Sequence, residues 1–143
     1  MSIQAQVVNL LIDLQGELGL AMLFISHDLR IVRQVASRVG VLYLGRIVEE
    51  GDADDLFATP LHPYTKALVS ASPAPGRRRE ERIVLAGDPP DPASRPSGCA
   101  FHPRCPSALP RCKGEAPTLA SVGPGRSVAC HLVPGSATLA EAA

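Results

Sequence analysis

The sequence predicts an α/β layer followed by a small, irregular, proline-rich extension. Three observations carry that prediction. Over the first seventy-odd residues, helical and strand patterns alternate with very short connections. Of the 14 prolines only Pro60 and Pro63 precede residue 73, so the second part cannot hold long helices or central strands. All four cysteines, Cys99, Cys105, Cys112 and Cys130, also lie in that second part. The chain has 143 residues, enough for one ordinary domain or two small pieces. With 45% hydrophobic and 20% charged residues it has a globular composition, and broad disorder is excluded.

The elements follow in order. Ile3, Val7, Leu10, Leu11, Leu14 and Leu18 recur at helical spacing, with Ser2 able to cap the start and Gly19 suited to the stop, so an amphipathic helix is expected. The continuous apolar run Leu20 to Ile25 has strand length and fits a parallel sheet covered on both faces, although periodicity alone also allows a buried helix. Ser26 or Asp28 then caps a short helix through Leu29, Val32, Val35 and Ala36. Val39 to Tyr43 and Arg46 to Glu49 read as a β-hairpin turning near Leu44-Gly45. Asp52 with Asp55 opens another helix that Thr59-Pro60 stops, and Pro63-Tyr64 starts one more, through Leu68 to about Ser70. Beyond Ser72 a proline-containing linker carries Arg77, Arg78 and Arg79, answered by Glu80 and Glu81. A short strand is expected at Ile83 to Leu85, and the segment from Pro134 onward reads as a frayed tail.

Charge excludes some function classes. With 14 basic and 14 acidic residues the net charge is zero, so no global field favours nucleic acid, and only five residues are aromatic. The three consecutive arginines beside two acids make a weak patch, read as a solvated linker. The N-terminal residues lack a basic leader pattern, and the apolar run ending at Ile25 is far short of a membrane span, so a cytoplasmic protein is expected.

His27, within Ser26-His27-Asp28, follows the predicted strand and precedes a helix. Ligands of open α/β sheets collect at that end of the strands, and an imidazole there can donate to a phosphate oxygen or orient a water. By spacing alone a histidine in such a turn is more often a plain loop residue. Four segments in fixed order change that reading: Ser2 to Gln6, Leu23 to Leu29, Tyr43 to Gly51 and His62 to Leu68. With them the sequence resembles the ATP-binding subunits of oligopeptide and dipeptide ABC transporters, over nearly the whole chain including its cysteine-bearing part. The resemblance implies that His27 is the switch histidine, catalytic and cofactor-binding, which contacts the γ-phosphate of ATP when two nucleotide-binding domains close. It also implies a second ABC ATP-binding subunit and membrane permease subunits as partners and a place on the inner face of the cell membrane, while the charge balance speaks for no nucleic-acid partner.

The departures matter as much. No segment of the 143 residues has the G-x-x-x-x-G-K-[ST] pattern that cradles phosphates, and the family's signature sequence and its magnesium-holding acidic pair are missing too. The resemblance therefore covers the C-terminal part of a P-loop ABC-type nucleotide-binding domain. This chain alone is expected not to hydrolyse ATP, while the intact protein would use ATP and magnesium. The expected organisation is residues 1–72 as the C-terminal part of that domain, 73–82 as linker, 83–133 as the transporter C-terminal cysteine extension, and 134–143 as disordered tail. A stand-alone metal-binding or regulatory module that pairs with an intact transporter ATPase is the alternative. Without its usual sheet neighbours, the apolar run and the first helix are expected to leave apolar surface unmatched.

The four cysteines follow a C-x5-C-x6-C-x17-C spacing. Disulfides conflict with a cytoplasmic location, and a proline-rich segment has little core in which to hide inert thiols. A shared metal centre would supply the missing cohesion, because metal binding free energy becomes folding free energy. Zinc and iron-sulfur both accept four thiolates; the absence of C-x2-C pairs lowers zinc, and the family resemblance implies a 4Fe-4S cluster on Cys99, Cys105, Cys112 and Cys130. His102 and His131, each near a cysteine, could replace one in a Cys3His zinc site. His62-Pro63-Tyr64 is read as structural, with Pro63 starting a helix and Tyr64 packing at the domain edge.

Overall fold

The computed structural model describes residues 3–72, 82–88 and 90–134. Helix α1 (Ile3–Leu18) opens the fold and α2 (Leu29–Val35) follows, before the hairpin strands β1 (Arg38–Tyr43) and β2 (Arg46–Asp52). Helices α3 (Ala53–Ala58) and α4 (Pro63–Ala71) come next, then two short 3-10 turns at His102–Arg104 and Pro110–Lys113, and strands β3 (Ala120–Gly123) and β4 (Arg126–Val128). The four strands form one antiparallel sheet in the order β1-β2-β4-β3.

The hairpin is the organising element. Leu44 and Gly45 both have positive φ, 46° and 74°, as a two-residue turn matching the twist of the strands requires. Along β1, Val39, Val41 and Tyr43 point inward by simple alternation. On β2 the alternation breaks. The register shifts opposite Val41 and Leu42, with Val41 paired to Glu49 and Leu42 to Ile47, so Val48 is the extra residue of a β-bulge. Val48 and Glu49 are consequently both buried although adjacent.

Around the hairpin, Ala53, Leu56 and Phe57 of α3 and Phe101 of the cysteine-bearing segment complete the core, with Leu68 and Val69 of α4 packed at its margin. Tyr43, Tyr64 and Phe101 form an aromatic cluster, with Tyr43 4.8 Å from Tyr64 and 5.1 Å from Phe101 between ring centroids, both edge-on. Asp52 caps α3 by accepting from Asp54 N, and Pro63 sits in the first turn of α4, as the sequence predicts.

Two expected strands do not form. Residues 20–26 run outside any regular element, with Leu23 91% and Ile25 88% exposed. A strand is held by a neighbour that accepts its backbone bonds, and among the described residues none flanks this run. The sheet that does form is antiparallel and built from the hairpin instead. Ile83 to Leu85 is likewise irregular. Helix α1 rests on α2, linked by a hydrogen bond from Gln34 to Asn9, and buries Val8 rather than Val7, Leu10 and Leu18, which are exposed. One seven-residue partner helix is too short to cover the whole apolar stripe. The expected linker at 73–82, apart from Arg82, and the expected tail at 134–143, apart from Pro134, lie outside the described residues. Among the described residues, no helix is long and apolar enough to cross a membrane.

Candidate functional site

His27 is exposed, on the turn that leads into α2. Its neighbours fix that turn. Asp28 N donates to Ser26 Oγ at 3.0 Å, and Asp28 Oδ1 accepts from Arg30 N at 3.0 Å, making Asp28 rather than Ser26 the cap of α2. The Arg30 guanidinium closes on the same carboxylate at 2.9 Å, and these bonds hold the Asp28 acid below the usual carboxylate range. The result is an imidazole presented to solvent on a turn held by these hydrogen bonds.

The cysteines occupy a second region, against the hairpin. Cys99 N donates to Cys112 O at 2.9 Å, and Ser97 Oγ donates to Lys113 O at 2.8 Å, so two stretches of the segment run side by side. Gly98 makes that approach possible. Its φ is 64°, and a Cβ there would lie 2.5 Å from Cys112 O. Cys112 and Cys130 are buried, and Cys99 and Cys105 are half-buried and packed on the core. Burial pushes the Cys99, Cys105 and Cys130 thiols up, and the other cysteines push in the same direction: Cys105, Cys112 and Cys130 on Cys99, Cys112 on Cys105, and Cys105 with Cys112 on Cys130. All four sulfurs are thus within electrostatic reach of one another, and no disulfide joins them.

That donor set is the right chemistry for a thiolate-bound centre, since four thiolates complete a tetrahedral site. The arrangement is not a closed one: among the described residues, no group of three or more His, Cys, Asp or Glu side chains is disposed to hold a metal ion. His102 turns Nδ1 to Cys99 O at 2.9 Å, and His131 turns Nε2 to Glu115 O at 2.9 Å. The His131 Nδ1 is buried without a partner among the described residues. Arg111 donates to His131 O at 2.6 Å and Arg104 to Ala86 O at 3.4 Å, so both guanidinium groups hold backbone.

A polar node that the sequence pattern does not announce is centred on Glu49. Glu49 is fully buried, and its carboxylate accepts from Leu61 N at 3.0 and 3.2 Å, from His62 N at 2.8 Å and from Arg126 Nη2 at 2.7 Å. Arg126 also donates to Thr59 Oγ1 at 3.1 Å and to the Thr59 carbonyl. One acid thereby ties β2, the α3–α4 loop and β4 together. His62 caps α4 through Nδ1, which accepts from Tyr64 N at 3.1 Å, so the ring must be neutral on that side. Burial pushes its pKa down to about 4, against an opposing pull from Glu49. The structural reading of His62-Pro63-Tyr64 holds for Pro63 and Tyr64; the capping role of His62 is an addition. An acid within Ile47-Val48-Glu49, facing an arginine near the C-terminal end, was the available signal for the node, but neither partner stands out by spacing.

Residues 48–112 match the family described as oligopeptide/dipeptide transporter, C-terminal region. A probable peptide ABC transporter ATP-binding protein of Sinorhizobium fredii is 54% identical over 132 residues, 92% of this chain and 37% of its own length. The oligopeptide transport ATP-binding protein AppF of Bacillus subtilis is 52% identical over 134 residues, 92% of this chain and 41% of its own. The chain thus spans about two fifths of the length of the curated relatives it matches.

Proposed function

On the premise that this chain corresponds to the C-terminal region of peptide ABC transporter ATP-binding proteins, we propose that it serves as that region in the ATP-binding subunit of a peptide importer. The observation that carries the reading is sequence identity above half over nine tenths of the chain, across both His27 and the cysteine-bearing segment. In the intact subunit ATP and magnesium are the cofactors, and His27 reaches the γ-phosphate when a second ATP-binding subunit closes on it. The exposure of His27 and the stiff Asp28 cap behind it support that role, because a phosphate contact needs an accessible donor on a fixed backbone. Membrane permease subunits are the other partners, which puts the protein on the cytoplasmic face of the membrane. The same reading assigns residues 1–72 to the nucleotide-binding domain and 83–133 to the cysteine extension.

Cys99, Cys105, Cys112 and Cys130 are proposed to hold a 4Fe-4S cluster, with zinc as the competing occupant. Support comes from four thiols gathered in one neighbourhood of a segment with little core of its own. When bound, such a centre supplies cross-linking; the chain's part is to bring the thiols together through the Cys99–Cys112 backbone bond and the Gly98 approach.

The test is a chimera. This chain replaces the matching C-terminal residues of Bacillus subtilis AppF, and ATP hydrolysis is measured with the partner subunits present. The expected result is retained hydrolysis that falls about 100-fold with His27→Ala, the scale for losing one donor to developing charge. A chimera with full hydrolysis that is indifferent to His27→Ala overturns the role of His27. One that folds and assembles but hydrolyses nothing overturns the functional assignment.

A further inference from the structure

A half-enclosed cavity of about 290 Å³ lies between the β1–β2 hairpin and the cysteine-bearing segment. His27 does not line it, and of the four cysteines only Cys99 does. Most of its wall is apolar, formed in part by Ile47, Phe101, Pro117 and Leu119, and two cations line it, Arg46 and Arg95, with no Asp or Glu among the lining residues. Arg95 is anchored by one Nη to the Leu44 carbonyl, which leaves further N–H groups of its planar fork to donate. Arg46 has no ion-pair partner among the described residues. Tyr43 also lines the cavity, and its buried hydroxyl has no hydrogen-bond partner among the described residues.

These features select a ligand. Two uncompensated guanidinium groups beside a low-dielectric wall attract an anion, and their fork geometry suits a carboxylate. A compact, fully hydrated anion would leave the apolar wall unmatched, so the ligand must carry hydrocarbon as well. The volume is roughly twice that of the ~150 Å³ cavity that admits benzene, which sets the size of that hydrocarbon part.

We propose that this cavity binds a small apolar monocarboxylate, with its carboxylate on Arg46 and Arg95 and its hydrocarbon against Ile47, Phe101 and Leu119. The ligand lies across the seam between the hairpin and the extension, so its binding holds the two together. The site stands independently of the transport reading.

Calorimetric titration of the 143-residue chain tests it with three probes: N-acetyl-Leu-Leu, its C-terminal amide, and decanoate. At least one free acid is expected to bind tenfold or more tightly than the amide. The Arg46→Met variant, which keeps the stem of an exposed side chain, is expected to lose fivefold or more of that affinity with an unchanged urea midpoint. Tighter binding of N-acetyl-Leu-Leu identifies a peptide C-terminus as the source of the carboxylate, and tighter binding of decanoate a fatty acid. Equal binding of acid and amide, or saturation by none of the three, overturns the proposal without reference to any variant.

Discussion

Replacing Arg126 by alanine strands a fully buried carboxylate, and the structure sets the size of the penalty. Glu49 is 0% exposed and takes its hydrogen bonds from Leu61 N, His62 N and Arg126. Loss of one partner of a buried pair costs about 3–5 kcal/mol. Two backbone donors remain on Glu49, which puts Arg126→Ala near the lower end, at about 3 kcal/mol. With a urea slope of about 1–3 kcal/mol/M, the unfolding midpoint falls by about 1–3 M. Glu49→Ala leaves the Leu61 and His62 amides without their acceptor and Arg126 with Thr59 alone and no counter-charge, and is expected to cost a similar amount. The double variant removes both charges together, so its cost falls short of the sum of the singles by at least about 1.5 kcal/mol. Urea unfolding followed by circular dichroism at pH 7.5 reads all four proteins. Additivity within about 0.5 kcal/mol, or a single-variant cost below about 1 kcal/mol, would refute the view that this acid bridges three segments.

Acid should destabilise the fold through His62. Its pKa is about 4 folded against an ordinary value of 6.5, so between those values the unfolded chain binds more protons and stability rises with pH. The contribution is complete above about pH 6.5 and is lost as pH falls toward 4, amounting to about 3 kcal/mol, and His62→Asn, which keeps a capping acceptor, should remove it; an unchanged pH profile in that variant contradicts the assignment. Gly98→Ala should cost at least about 2 kcal/mol in urea unfolding, from a left-handed φ and a Cβ driven against Cys112 O, and a cost under about 0.5 kcal/mol would show that the approach is looser than described. Leu23→Lys with Ile25→Lys should leave stability within about 0.5 kcal/mol per site while raising solubility in light scattering, whereas a large loss would mean that these residues are packed. Anaerobic purification should yield iron and acid-labile sulfide in equal amounts, lost on Cys112→Ser; stoichiometric zinc without sulfide would replace the cluster by zinc.

Local rules made the helices and the hairpin legible. Asp28, Asp52 and Pro63 are short-range signals whose effect is felt within a turn of helix, and Val39, Val41 and Tyr43 alternate plainly along one strand. What the sequence concealed depends on partners far along the chain. Leu20 to Ile25 has the composition of a strand, but composition cannot supply a neighbour, and the run stays irregular. Strands β3 and β4 are four and three residues long, too short for any period to register, and their pairing to β2 is visible only in three dimensions. Glu49 reads as a solvent-facing residue until the bulge at Val48 turns it inward. Of the candidate site residues, the cysteines could be grouped by their composition context, but the Gly98 crossing that sets Cys99 beside Cys112 could not.

The pairing of β4 with β2 also fixes an order of events during synthesis. Glu49 leaves the ribosome 77 residues before Arg126, a delay of roughly 4–15 s at about 5–20 residues per second. Throughout that interval the outer edge of β2 has no strand beside it and the Glu49 carboxylate has no guanidinium. Closing a loop of 77 residues then costs about 4 kcal/mol in chain entropy, to be recovered only when Arg126 and Val128 dock. The nascent hairpin is therefore open to chaperones and neighbouring chains along that edge until β4 arrives, and shortening the 77-residue excursion would shorten that interval.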